Sequence, residues 1–242
     1  MTRMAPWGAR ILLGLVLLAA SGVIVGYFAD VWERHTASAL LSQVSNLQVG
    51  RSSTDEVLRI VRQYGGGASA RTVAFGCPGG GELYWVQVGG GAQSNGWHSL
   101  TGRLLGNRWW MAQANFRVAD GRVTCAGYHL RTISSNFAIY ATASSTFLLA
   151  EPEAAPYDVA FRDLHNVHEL SAGVRSDASA QQRRRAFDFD FSCLSRIGGC
   201  RGACEIMPSA WLDYQKQAPP NGRALPSEEA DDPLCKKLEK GQ

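Results

Sequence analysis

Residues 109–130 read WWMAQANFRVADGRVTCAGYHL, and the reading of this stretch decides the fold class. Asp120-Gly121 is a strong hairpin signal, because a two-residue turn needs positive φ at its centre, which Gly adopts freely and Asp tolerates. The flanks, 109–118 and 122–130, are rich in aromatic and β-branched residues and read as two antiparallel strands. Trp109 and Trp110 are neighbours in sequence, so on a strand they point to opposite faces, one into the core and one outward. An outward tryptophan can anchor a partner or a glycan, whereas core packing uses both faces. Trp97, Trp109 and Trp110 are therefore the candidate exposed aromatic contacts, with Trp85 nearby.

Upstream of the hairpin, 71–76 and 82–88 are two more strand-like runs, joined by the turn Cys77-Pro78-Gly79-Gly80-Gly81. Before them comes a helix. Ser53-Thr54-Asp55-Glu56 fits a capping box, in which Ser53 caps the helix and Glu56 reaches back to it. Val57, Leu58, Val61 and Tyr64 form the apolar stripe, and Gly65-Gly66-Gly67 ends the helix. Residues 33–48 read as a short amphipathic helix or an extension of the preceding apolar run, with Leu40, Val44 and Leu47 on one face.

Downstream, strands are expected at 137–149, 157–162, 169–175 and 186–193. In the last of these, Phe187, Phe189 and Phe191 alternate with Asp188 and Asp190, the period of a half-buried strand. The polar segment 176–185 (SDASAQQRRR) reads as a loop, and 206–214 as a short helix starting at Pro208. From Lys216 onward, four prolines and mixed charges predict a flexible tail. The expected architecture is α+β: an N-terminal transmembrane helix, one capped helix and an antiparallel β-sheet of six to eight strands. Its parts are a cytoplasmic N-terminus (1–10), a transmembrane helix (11–32), one extracytoplasmic domain (33–214) and a C-terminal tail (215–242).

The membrane assignment rests on residues 11–28, ILLGLVLLAASGVIVGYF, which contain no charge. At 1.5 Å per residue they span about 27 Å, close to a bilayer's hydrocarbon core. Tyr27, Phe28 and Trp32 fall where aromatic side chains favour the membrane–water boundary. Arg3 and Arg10 precede the run, while Asp30, Glu33 and Arg34 follow it. The positive-inside rule then places the N-terminus in the cytoplasm and the remainder outside, in the periplasm of an inner-membrane protein. A cleaved signal peptide is the rival reading, with Ala19-Ala20-Ser21 as its cleavage site, although the apolar run is longer than such segments need.

With Arg3 and Arg10 set aside, the 24 Lys/Arg become 22 against 21 Asp/Glu, so the exported part is nearly neutral. Binding to nucleic acid draws on a basic excess that neutralises phosphates, and that excess is missing here. Six cysteines, at 77, 125, 193, 200, 204 and 235, all lie beyond the apolar run. An even number in an exported chain points to disulfides. Cys77 with Cys125 is the preferred pair, because both lie at the ends of neighbouring strands. At least one local bridge is expected among Cys193, Cys200, Cys204 and Cys235. The alternative is a zinc site built from those four thiolates, with Cys200-x3-Cys204 supplying half of the tetrahedron.

The stretch Leu47-Gln48-Val49-Gly50-Arg51-Ser52-Ser53-Thr54-Asp55-Glu56-Val57, followed by a hairpin-rich region, resembles the opening of the BamE/SmpA-like domain over residues 45–130. That resemblance implies a small antiparallel sheet after a capped helix, and a scaffold or interaction role with envelope protein partners. This chain departs from the pattern: no lipidated cysteine follows its apolar run, and it continues well beyond the small sheet. The whole chain also resembles single-pass bacterial membrane proteins that carry a late Ser-Cys-Leu…Gly-Cys-Arg segment, here Ser192-Cys193-Leu194 and Gly199-Cys200-Arg201. That second likeness implies no activity.

Motifs for catalysis are sparse, and no catalytic residue, cofactor-binding residue or metal ligand is assigned. His165 and His168, with Glu169, form His-x-x-His-Glu, which on a helix would let two imidazoles share a metal. Two surface histidines near a turn are the plainer reading, since no third ligand is placed. Asp188 and Asp190 share one face of their expected strand, as paired carboxylates do in glycoside hydrolysis. Alternating aspartates also mark an ordinary solvent face. Gly79–Gly81 and Gly89–Gly91 lack the lysine and the following helix of a phosphate loop, and read as turns. Arg183-Arg184-Arg185 is short for a lipid or nucleic-acid site. The expectation is a binding or envelope-assembly module, with an extracytoplasmic enzyme or metal-dependent protein using His165/His168 or Asp188/Asp190 as the alternative.

Overall fold

Asp120 and Gly121 have φ of 52° and 73°, so the turn at the centre of the fold takes the left-handed geometry expected of a tight hairpin. The computed structural model describes residues 5–69, 77, 80–89, 109–133, 138–145, 155–163, 166–196, 199–217 and 235. Its strands are β1 (Gly67–Ser69), β2 (Glu82–Gly89), β3 (Trp110–Ala119), β4 (Arg122–Ile133), β5 (Ala138–Ser144), β6 (Tyr157–Asp163) and β7 (Val167–Val174). Its helices are α1 (Ala5–Asn46), α2 (Thr54–Gln63), α3 (Ala180–Ala186), α4 (Ala203–Ile206) and α5 (Pro208–Gln217), with a 3-10 turn at Ser192–Ser195. The strand expected at 71–76 lies outside the described residues.

The strands form one seven-stranded sheet in the order β1-β2-β3-β4-β5-β7-β6. The α+β class holds, but the sheet is mixed rather than wholly antiparallel. The chain leaves β5, passes over one strand position to the edge as β6, and returns as β7 between them. This sets β7 parallel to β5, with Ala141 opposite Leu170. Alternation along a strand tells which residues share a face; it carries no information about neighbour order.

One face of the sheet is covered by helices along its width. The end of α1 crosses β2, β3 and β4, α2 packs on β2 and β4, and α3 to α5 cover β5, β7 and β6. The core beneath them includes Val86, Ala114, Phe116, Tyr128, Leu130, Ala141, Leu170 and Ala172, all fully or almost fully buried. Trp110 belongs to this face and is only 5% exposed, which removes it from the candidate exposed contacts.

α1 is a single unbroken helix of 42 residues. Its first part carries the apolar run, whose large side chains are exposed and which is long and apolar enough to cross a membrane. Its last part is core: Ala37, Leu40, Leu41 and Val44 are buried, followed by Leu47. Of the two readings of 33–48, extension of the preceding apolar run is the one realised. The buried Tyr128 hydroxyl donates to the Ala37 carbonyl at 3.0 Å, fastening the helix to the middle of the sheet. Gly50 then turns the chain with φ 77°, and residues 50–54 pair along the start of β4 through Gly50 N–Val123 O and Val123 N–Ser52 O. The capping box forms as expected: the Glu56 amide donates to Ser53 Oγ and the Ser53 amide to Glu56 Oε2 at 2.9 Å.

Two expectations fail after β7. Residues 180–185, within the segment 176–185 read as loop, are helical, because Ser179 and Gln182 make a second capping box. Residues 186–193, read as a strand, end α3 and run on as unpaired chain into the 3-10 turn. Phe189 and Phe191 pack edge-on against Tyr128 at 5.3 and 6.3 Å between ring centres. The aromatic alternation thus serves burial against Tyr128 without joining the sheet: Phe187 and Phe191 have ψ of 20° and 2°, outside strand geometry, and the Phe189 amide turns back to the Phe187 carbonyl. The expected helix at Pro208 is present as α5, which extends to Gln217.

Three disulfides close the domain: Cys77–Cys125, as preferred from the sequence, with Cys193–Cys200 and Cys204–Cys235. The last ties the chain beyond α5 back to α4, so the segment expected as a free tail has a buried, covalently held point at Cys235. The disulfides consume all four thiols that a zinc site would have used.

Candidate binding site on the polar face of the sheet

The face opposite the helices is built from the other half of each strand's alternation. Register fixes its rows. Gln113, His129, Thr142 and Ser171 follow one another across β3, β4, β5 and β7, and Met111, Arg131, Tyr140 and Glu169 form the next row. Asn115 and Ser144 lie on the row beyond, with Gly127 between them. These side chains are mostly polar, yet Asn115, His129, Thr142 and Ser144 are buried.

Burial demands hydrogen-bond partners. His129 Nδ1 lies 2.7 Å from Thr142 Oγ1. Gln113 donates to Asn115 Oδ1 at 2.9 Å. Arg117, 2% exposed, donates through Nε to the Cys77 carbonyl at 3.2 Å, so a buried guanidinium holds Cys77, which the disulfide to Cys125 also anchors. Burial, and then the positive charge of Arg131, pushes His129 down to about 4. His129 is therefore uncharged at neutral pH and serves as a hydrogen-bonding group.

Beside His129 stands an aromatic cluster. The Arg131 guanidinium carbon lies 5.2 Å from the centre of the Trp109 ring and 5.2 Å from that of Tyr140. Tyr140 also faces the His129 ring at 5.3 Å. Trp109, Arg131 and Tyr140 are each half-buried. The arrangement places one fixed cation, two aromatic rings and a neutral imidazole on a single patch.

The residues singled out in the sequence are scattered. Trp109 joins the patch; Trp97 and His165 lie outside the described residues. His168 is on β7, facing the helices, with Phe161 edge-on at 6.3 Å. Asn166 has φ 67° and a strand begins at Val167, so the helix that a His-x-x-His metal pair requires is not formed. Asp188 accepts from Ser209 Oγ at 2.5 Å, and Asp190 accepts from the Ser192 amide at 2.7 Å. Neither lies on a strand, so the paired-carboxylate geometry is gone and each instead fixes local chain. Among the described residues, no three His, Cys, Asp or Glu side chains gather in a way that could hold a metal.

No family model, curated protein or solved structure matches the chain.

The Arg183–Arg185 run is divided between tasks. Arg185 makes a two-pronged ion pair with Asp213, at 2.6 Å for each bond, and Asp213 also accepts from Tyr157 at 2.9 Å. This joins α3, α5 and β6, and the Asp213 bond raises Arg185. Arg183 and Arg184, with Asp188, line a shallow groove of about 370 Å³ against the end of α1. Sequence reading missed His129, Arg131, Tyr140 and Thr142. Their signal was the spacing of polar residues two apart (129 and 131, 140 and 142), with apolar Leu130 and Ala141 between them.

Proposed function

We propose that this chain is a single-pass envelope protein that works as a binding or assembly module, with its N-terminus in the cytoplasm and residues 33–214 outside. The observation that carries the reading is the continuity of α1. One helix runs from the exposed apolar segment into the core and ends under the sheet, so the domain is mounted on its anchor without a flexible joint. Such a mounting suits a module that presents one face to a partner at a set height above a membrane. Three disulfides support an oxidising compartment. The likeness of residues 45–130 to the BamE/SmpA-like domain supports an envelope-assembly role.

The test has two arms. A reporter fused after residue 45 should be active only outside the cytoplasm; activity inside would reverse the orientation. A photo-crosslinking residue in place of the exposed Ile133, two residues along β4 from Arg131, should capture one recurrent envelope protein in native membranes, while substitution on α2 should not. Recovery of the chain as a freely soluble cytoplasmic protein with reduced thiols would end the proposal.

A further inference from the structure

The cluster around Arg131 is rich in donors and short of acceptors. Arg131 Nε and Trp109 Nε1 are both buried, and among the described residues neither has a hydrogen-bond partner. The ion pairs formed by other arginines, Arg175–Asp177, Arg185–Asp213 and Arg196–Glu205, all lie elsewhere. Glu169 is the acidic residue of the same row, but Tyr140 stands between it and Arg131. Buried donors of this kind are normally met by an acceptor, and a buried guanidinium by a counter-charge. Two such donors, on neighbouring side chains of one patch, point to an acceptor of negative charge.

The geometry narrows its chemistry. Trp109 and Tyr140 each hold the guanidinium carbon 5.2 Å from a ring centre, which fixes the cation in the patch. A guanidinium edge matches a carboxylate or a phosphate through two parallel hydrogen bonds. The indole N–H of Trp109 adds a further donor. All three side chains are half-buried, so a compact group can approach their exposed atoms, and a small shift of the Arg131 and Trp109 side chains brings the enclosed Nε and Nε1 within its reach.

We propose that Trp109, Arg131 and Tyr140 form a binding site for a compact oxyanion group, a carboxylate or a phosphate, presented by the ligand of this module. The site names the ligand chemistry of the polar face and rests on reading the chain as a binding module. His129 remains neutral beside it, so the positive charge of the patch belongs to Arg131.

The experiment uses the full chain in detergent micelles, with indole nitrogens labelled and the Trp109 resonance assigned through Trp109→Phe. Succinate and inorganic phosphate are titrated separately at constant ionic strength, with chloride as the control. A saturable shift of the Trp109 indole N–H is expected with at least one probe. Saturation by succinate alone assigns a carboxylate, by phosphate alone a phosphate, and by both a general oxyanion site. Arg131→Gln should weaken the response at least tenfold, and Arg131→Lys, which keeps the charge but loses the fork, should weaken it as well. Shifts no greater than those with chloride, or a response unchanged in Arg131→Lys, would overturn the site even if Arg131→Gln does not fold. Crosslinking from position 133, on the same face but outside the three site residues, reads the module's partner independently, so loss of the oxyanion site and loss of the binding-module reading give different results.

Discussion

His129 makes this domain's stability sensitive to acid. Its pKa is lowered from 6.5 to about 4 by burial and by Arg131, so the unfolded chain takes up the proton before the folded one does. Stability is then fully present above pH 6.5 and declines as pH falls toward 4, by roughly 3 kcal/mol at most. Urea unfolding at pH 7.5 and pH 4.5 measures this, and His129→Gln should flatten the difference; an unaltered slope would rule His129 out as its source. Tyr128 is a second decisive residue. Its hydroxyl is buried and gives its hydrogen bond to the Ala37 carbonyl, so burial holds it well above the usual tyrosine range. Tyr128→Phe should cost about 1 kcal/mol through that lost bond and the carbonyl left behind.

Among the elements, helices with reciprocal caps were the easiest to see and the easiest to miss. Ser53 and Glu56 announced α2 because they precede a plain apolar stripe. Ser179 and Gln182 make the same box ahead of α3, whose sequence AQQRRRA has no apolar stripe to draw attention. Ser53→Ala should therefore lower stability by about 1 kcal/mol, read as a reduced unfolding midpoint with unchanged cooperativity. The short helix α4 depends more on charge. Glu205 is 8% exposed, pairs with Arg196, and accepts from the Arg201 amide at 2.9 Å. Glu205→Gln should cost about 2 kcal/mol, less than for a fully enclosed pair because Arg196 is 39% exposed. A change below a few tenths of a kcal/mol would show that packing alone holds the α4 turn.

For the whole molecule, the covalent frame makes the sharpest claims. All six cysteines are paired, so alkylation of the native protein without reductant should label no thiol, and six after reduction and unfolding. Cys77–Cys125 closes a loop of 48 residues, and replacing both by alanine should cost about 4 kcal/mol by chain entropy. The unbroken α1 makes a mechanical claim as well. Inserting a flexible Gly-Ser-Gly-Ser segment after Trp32 should leave folding intact, since burial begins at Ala37, but should weaken capture of a membrane-held partner. Unchanged capture would show that the fixed mounting has no role in function.

What the order of residues settled on its own were the features governed by near neighbours. The apolar run of residues 11–28, the Ser53 box, the Asp120-Gly121 turn and the two-residue rhythm of the strands each act over a few positions. Backbone preference and local burial decide such features before any distant contact forms. Folding in three dimensions decided the rest: which strand lies beside which, so that β7 runs parallel to β5, and which alternating segments become strands, so that residues 187–191 do not. It also decided which polar side chains meet, bringing Trp109, Arg131 and Tyr140 together from three separate stretches of chain. Those outcomes are contacts between residues far apart in sequence, and no local pattern encodes them.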